Sequence, residues 1–372
     1  MEVLHTIRDS ETYFGYRGRM ENSAAVAYGV RSAQAPAGLT AIVGDIGRQT
    51  IRLGLTDEAG ELRRDTIRAY SAASQSTISG ALSTFARECG LPSLPRRCGL
   101  ALSGAPRGDT ISITNSRWFV SRSGLRSMLQ GDPVIINDFA AIAWSLTSPK
   151  GSARIERTEY GTICPATKSG TYCIIGIGSG LGVAVLQRDE FGHYSVLATE
   201  AGHCSFTPTI GDWQPILEIM RRSAICQSGE QLMAASGLHR AYLACAEYLN
   251  IAPRATNSVE VVQLAETARD MAAVKAIDLV ARALWQFAGN MVLSHGAWDG
   301  VILTGSLTHA MAKVLRQPNV REQFCLAGPY ARDLQSVPRG FASFDHGELE
   351  GAAQALLLRD RAQLGAGMQV AA

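Results

Sequence analysis

The sequence predicts a two-lobed α/β protein with a cleft between the lobes. Three observations carry that expectation. At 372 residues the chain is too long for one ordinary hydrophobic core and suits two lobes of typical size. Sets of short apolar strands alternate with helical stretches in both halves, the pattern of sheets flanked by helices. Each half also runs an apolar strand straight into a glycine-bearing turn, which places polar chemistry at strand ends, where clefts form.

Composition narrows the class. Hydrophobic residues make up 46% and charged residues 18%, with 35 basic against 33 acidic side chains and a net charge of +2. That is the make-up of a globular protein with ample apolar material to bury. A near-neutral balance does not ask for nucleic acid or an anionic membrane surface, whose binders cluster basic residues on one face. The segment from Met1 to Met20 lacks a basic stretch followed by an apolar core, so no secretion signal is read there. No window approaches the roughly 18 consecutive apolar residues of a membrane span. Eight cysteines occur without a C-x-x-C pair, which argues against a zinc or thioredoxin-type site and for reduced cytoplasmic thiols.

Along the chain, residues 1–38 show no periodicity and read as an extension outside the core fold. The apolar stretch from Leu39 then reads as a strand that ends in Gly44-Asp45-Ile46-Gly47. The segment from Ile51 to Thr56 alternates like a second strand, Asp57 to Gly60 is a turn, and Leu62 to Tyr70 completes an antiparallel set. Residues 75–89 carry helical spacing, with Ile78, Leu82, Phe85 and Ala86 on one side. Strands from Cys98 to Leu102 and from Val134 to Ile136 each feed a polar segment, and Ala140 to Leu146 reads as an apolar helix. After a loop at 148–170, the strand from Tyr172 to Ile175 enters a glycine-rich turn, and a strand from Val183 to Gln187 leaves it. Residues 213–248 and 258–296 are mainly helical by pattern. Val301 to Thr304 is again a strand, ahead of Gly305-Ser306, and Glu350 to Leu364 reads as an amphipathic helix.

The second glycine turn places Gly176, Gly178, Gly180 and Gly182 around Ser179, four glycines in seven residues. Glycine lets backbone N–H groups converge on an anion with no side chain in the way. A tight hairpin is the alternative use of the same residues. A strand rather than a helix follows, against a dinucleotide fingerprint, and no Gly-Lys-Ser/Thr ending marks a P-loop. In the first turn, Asp45 either faces a metal-bound phosphate or caps its own turn.

Polar residues gather at three further places. Asn137-Asp138 ends an apolar strand, where an Asp serves as a helix N-cap or as a general base within reach of a substrate hydroxyl. Glu200 and His203 stand three residues apart with a glycine between, and Glu230 opens a helix. Each has an ordinary reading as well: a solvated carboxylate, a satisfied loop histidine, an acid favouring a helix N-terminus.

Taken in order, these motifs resemble the bacterial glucokinase family, within the sugar kinase, heat-shock protein and actin superfamily. The likeness spans roughly residues 39–364. Ile42 to Leu53 resembles the family's first phosphate loop, and Thr114-Asn115-Ser116-Arg117-Trp118 its Thr-Asn-x-x-Trp. Ile136-Asn137-Asp138-Phe139 matches Ile-Asn-Asp-Phe, Gly176 to Gly182 the second phosphate loop, Glu200 to His203 the Glu-x-Gly-His, and Ser228-Gly229-Glu230 the Ser-Ala-Glu.

The resemblance implies a two-lobed actin-like ATPase (ribonuclease H-like) fold, with mixed sheets flanked by helices around a central cleft. It implies a small α/β domain at 39–147 plus 350–372 and a large one at 148–349. The implied activity is ATP-dependent phosphorylation of the 6-hydroxyl of glucose, with Asp138 as general base. Asn115, Asn137, Glu200, His203 and Glu230 would hold the sugar hydroxyls. Gly44, Asp45, Gly47 and Thr50, with Gly176, Gly178, Ser179, Gly180 and Gly182, would meet the ATP phosphates, and Gly305 the adenosine. Asp45 would place Mg²⁺ through water. Glucose or a related sugar is the implied partner, with a second copy of the chain as a homodimer, and neither nucleic acid nor membrane.

Departures fall on the nucleotide side. The family's Gly-Gly-Thr-Asn is here Gly47-Arg48-Gln49-Thr50. If position 48 needs φ > 0, an arginine there is strained by about 1–2 kcal/mol, whereas a guanidinium also suits phosphate. Gly305-Ser306 stands for Gly-Gly, and the segment from His346 to Gly351 adds Glu348 and Glu350. Three readings follow: a glucose kinase, a kinase for another sugar or cyclitol, or a sugar-binding or regulatory protein with weakened kinase activity.

Overall fold

Two β-sheets organise the chain, and both use one strand order. The computed structural model describes residues 25–28, 40–75, 77–114, 116, 118–210, 213–223, 227–325 and 328–370. Its strands are β1 (Ala25–Tyr28), β2 (Ile42–Ile46), β3 (Thr50–Thr56), β4 (Leu62–Ser71), β5 (Cys98–Leu102), β6 (Thr110–Ser112) and β7 (Phe119–Ser121). They continue with β8 (Val134–Asn137), β9 (Gly170–Ile177), β10 (Leu181–Arg188), β11 (Tyr194–Thr199), β12 (Gly300–Thr304) and β13 (Arg339–Phe341).

The first sheet runs β4-β3-β2-β5-β8 and the second β1-β11-β10-β9-β12-β13. β2 is antiparallel to β3 and parallel to β5; β9 is likewise antiparallel to β10 and parallel to β12. The fold is therefore a doubled unit, in which the hairpin β2–β3 corresponds to the hairpin β9–β10. β1 lies within the N-terminal segment 1–38 and pairs along β11, so that part of the stretch is a sheet edge. Sequence reading also passed over the short β6–β7 ribbon.

Central strands are apolar on both faces because both faces are covered. β5, Cys-Gly-Leu-Ala-Leu, and β12, Gly-Val-Ile-Leu-Thr, are buried at every position, as expected for parallel strands between helical layers. The edge strand β4 instead exposes Arg63, Arg64, Asp65 and Arg68, charges that discourage pairing with another chain. One face of the first sheet packs on the helices Ile78–Glu88 and Arg122–Leu129, joined by Leu53, Leu82, Phe85, Leu100 and Leu125.

Two helices lie between the sheets. Asp138–Ser145 packs on the second sheet through Ala141 and Trp144, and the C-terminal helix Gly347–Val370 brings Ala355 and Leu356 into the same cluster. Leu349, Ala352 and Ala353 of that helix meet Val43 of the first sheet. The two helices cross with little between their backbones: a Cβ added at Gly351 would overlap the Ala141 carbonyl. The C-terminal helix starts at Gly347, earlier than its apolar pattern, so Glu348 and Glu350 occupy its first turn, where the helix dipole favours acids. Beyond the second sheet, Met271–His295 is capped by Asp270 and buries Leu284, Trp285 and Phe287.

Candidate active site

β8 delivers two polar residues to the cleft, and the backbone sorts their tasks. Asn137 is the N-cap of Asp138–Ser145: its Oδ1 accepts from the N–H groups of Phe139 (2.8 Å) and Ala140 (3.0 Å). Its Nδ2 donates to the Gly104 carbonyl at 3.2 Å, which leaves one amide hydrogen for a substrate. The capping use entertained for Asp138 thus belongs to its neighbour. The Asp138 carboxylate accepts instead from the Ser103 hydroxyl at 2.7 Å and from the Phe139 N–H at 2.8 Å. Ser103 follows β5, which runs parallel beside β8 with Leu102 opposite Asn137. Burial lifts the Asp138 pKa above the ordinary carboxylate range; the Ser103 and Phe139 hydrogen bonds oppose that lift, and the charges of Glu348 and Glu200 add to it.

Asp45 ends β2 in an acidic pocket. Arg52 of β3 donates from Nε at 2.8 Å and holds the same oxygen with Nη2 at 2.6 Å, while Nη2 also reaches Glu348 at 3.2 Å. Burial, then the charge of Glu348, pushes the Asp45 pKa up to about 7, against the pull of Arg52; Asp138 adds to the rise. The folded protein therefore binds a proton more tightly than the unfolded chain, whose carboxylate titrates at 3.8. The stabilisation tied to that proton is complete below the unfolded value and is lost as pH rises to the folded one. Urea unfolding across that window should show wild-type stability falling from about pH 4 to about pH 7, with a flatter course for Asp45→Asn. Parallel courses for the two proteins would sink this account.

The sugar-side residues assemble from three segments. Glu200 precedes a single turn, Ala201–His203, and Gly202 lets that turn lie against the Leu181 carbonyl, where a Cβ would overlap it. Backbone bonds from Phe206 N–H to Gln227 (2.8 Å) and from Gly229 N–H to Cys204 (3.2 Å) bring the helix Gly229–Met233 alongside. His203 then stands between two carboxylates, 4.0 Å from Glu200 and 3.9 Å from Glu230. Glu230 is fixed by the Leu181 N–H at 3.0 Å. The electrostatic reach of Glu200 to Asp138 joins this group to the end of β8. Asn115 lies outside the described residues.

Several of the glycines are also required by packing. Gly176 and Gly182 face each other across the β9–β10 ladder, and a Cβ on either would land on the Phe139 ring. They make room for that ring behind Asp138, a packing reason for glycine at these two positions. Gly44 has a packing reason as well: its Cβ would meet Leu100 at 2.7 Å and Leu53 at 2.8 Å, inside the first core. Gly178, Ser179 and Gly180 form the hairpin tip, closed by the Gly178 N–H on the Gly180 carbonyl at 3.0 Å. A Cβ at Gly180 would touch Glu230 at 2.8 Å, so the tip abuts the sugar-side cluster. Gly305 has φ of 97° and presses on the Ile177 backbone, which only glycine tolerates.

The first hairpin turn closes through the Gly47 N–H on the Thr50 carbonyl at 3.0 Å. Positive φ occurs at Gln130, Asn250 and Ala268 among the described non-glycine residues, not at Arg48. The arginine therefore carries none of the strain considered for it. Ser103, Phe139 and Arg52 are site residues that motif reading did not single out. Only the polar residue just beyond a buried strand hinted at Ser103.

Comparison with known proteins agrees with this geometry. The family model Glucokinase matches residues 42–358. A glucokinase of Stenotrophomonas maltophilia (strain K279a) is 33% identical over 317 residues, spanning 84% of this chain and 93% of its own. The crystal structure of a glucokinase from an Antarctic psychrotroph superposes with a TM-score of 0.71 at 23% identity, over 85% of this chain and 98% of that one. A glucokinase from Balamuthia mandrillaris in complex with glucose gives 0.69 at 18% identity, over 85% and 93%. Those two share the two-lobed α/β fold with its mixed sheets, and the family match together with the 33% identical relative shows that this chain belongs to the glucokinase family.

Proposed function

We propose that the protein transfers the γ-phosphoryl group of ATP to the 6-hydroxyl of glucose. A hexose kinase is what its family membership makes it; the finer reading rests on one observation. Asp138, freed from helix capping by Asn137 and oriented by Ser103, is linked electrostatically to Glu200, whose neighbour His203 reaches Glu230.

The chemistry follows from those positions. Ionised Asp138 accepts the proton of the attacking hydroxyl, so its raised pKa brings it toward working pH, where a general base is most effective. Glu200, His203 and Glu230 accept and donate hydrogen bonds to the remaining hydroxyls, and groups built to pair a polyol reject analogues that leave them unpaired. The tips of the two hairpins receive the phosphates, and Gly305 lies toward the adenosine. Mg²⁺ neutralises phosphate charge when bound, and Asp45, a single carboxylate already gripped by Arg52, suits contact through a metal-bound water. We extend the reading to a small domain of 39–147 plus 350–372, a large one of 148–349, and a cytoplasmic homodimer feeding glycolysis.

The ordinary backbone at Arg48 removes the strain argument for a homologue with weakened kinase activity. ADP release with MgATP and a panel of hexoses tests the proposal. Glucose should be turned over fastest; glucose binding with no ADP release would overturn it.

A further inference from the structure

The β2–β3 hairpin carries two basic residues, Arg48 and Arg52, and their situations differ. Arg52 is engaged by both Asp45 and Glu348. Arg48 stands exposed at the tip and has no ion pair or hydrogen bond to another side chain among the described residues. The turn beneath it is held firmly: the Gly47 N–H is taken by Thr50, and the Gln49 carbonyl accepts from Ala72 at 2.8 Å. The amide at the start of the turn is therefore unavailable to an anion.

The surroundings create a need for positive charge. Asp45, Glu348 and Asp138 influence one another electrostatically, with Arg52 the one arginine acting directly on Asp45. A chain of phosphates brought to this end of the cleft meets an acidic floor, and like charges at close range cost free energy. The corresponding hairpin β9–β10 carries Gly178, Ser179 and Gly180 at its tip, without a cation. A guanidinium offers paired donors matched to phosphate oxygens.

We propose that Arg48 binds the phosphate chain of the phosphoryl donor, serving as a side-chain clamp at the tip of the first hairpin. The inference rests on the kinase reading for what the phosphates belong to, and goes beyond it in naming the group that grips them. It also fixes the donor's chemical class as a polyphosphate chain whose hold depends on charge rather than on glycine amides.

Calorimetric titration of the full chain with Mg-AMPPNP, with Mg-tripolyphosphate and with glucose tests it on wild type, Arg48→Gln and Arg48→Lys. Arg48→Gln should weaken both phosphate ligands by about tenfold or more, the scale of a lost charged hydrogen bond. Arg48→Lys should recover part of that loss, since it keeps the charge but not the fork, and glucose affinity should stay the same in all three. Equal phosphate binding by wild type and Arg48→Gln, or none by wild type, overturns the proposal. The kinase reading fails separately: Arg48-dependent binding of tripolyphosphate in a protein that never phosphorylates glucose would leave the clamp standing and remove the activity.

Discussion

Asp138→Asn lowers kcat by about 10²–10⁴-fold, the range contributed by a positioned general base, while glucose still binds. The amide is nearly isosteric and keeps partners on both sides: its oxygen accepts from the Phe139 N–H, and its nitrogen faces the Ser103 hydroxyl, which accepts in turn. The helix is undisturbed because Asn137, not Asp138, holds the cap. What disappears is the capacity to take a proton. Single-turnover phosphorylation measured beside glucose titration separates the two effects, and a variant retaining more than a tenth of wild-type turnover would remove Asp138 from the role. Ser103→Ala is the companion. The Ser103 hydrogen bond is the foremost influence holding the Asp138 pKa down against burial. Without it the carboxyl ionises at higher pH, so the acid limb of kcat shifts upward while activity at high pH is largely kept.

Gly351→Val is expected to cost about 3 kcal/mol or more of stability, the upper range for forced overpacking. The added Cβ meets the Ala141 carbonyl, its carbon and its Cα, all backbone of a buried helix that has no rotamer to change. The C-terminal helix would have to move away, and with it Ala352, whose carbonyl already approaches the Cβ position of Gly99 at 2.7 Å. Thermal unfolding should show the loss as a drop of roughly 4 °C or more. A melting temperature within about a degree of wild type would mean that the two helices part easily.

How much of this was legible beforehand depended on the distance over which each interaction acts. The buried strands announced themselves as apolar runs, since a strand covered on both faces has no polar position. The choice between Asn137 and Asp138 as cap was not legible: both residue types cap well, and only the path of the chain after β8 decides which oxygen meets the free N–H groups. The glycine-rich turn was read for its density, yet Gly176 and Gly182 answer to Phe139, far off in sequence, and nothing local to 176–182 names that ring. The Arg52 contact to Glu348 spans 296 positions, so the acidic floor under the first hairpin had no local signal at all. Order of motifs along the chain carried the site where single motifs did not, because each polar residue had an ordinary explanation until the sheets brought them together.

The bare contact between Gly351 and Ala141 also governs how the lobes can move. With backbone against backbone and no flexible side chain as cushion, the crossed helices resist sliding past one another, and what stays easy is rotation about the point of touch. That point is a fulcrum. Displacement about a fulcrum grows with distance from it, and Asp138 sits only three residues from Ala141, about 4.5 Å along the helix axis. Asp138 lies on the short arm. A modest turn of one lobe about that point therefore leaves Asp138 almost where it was.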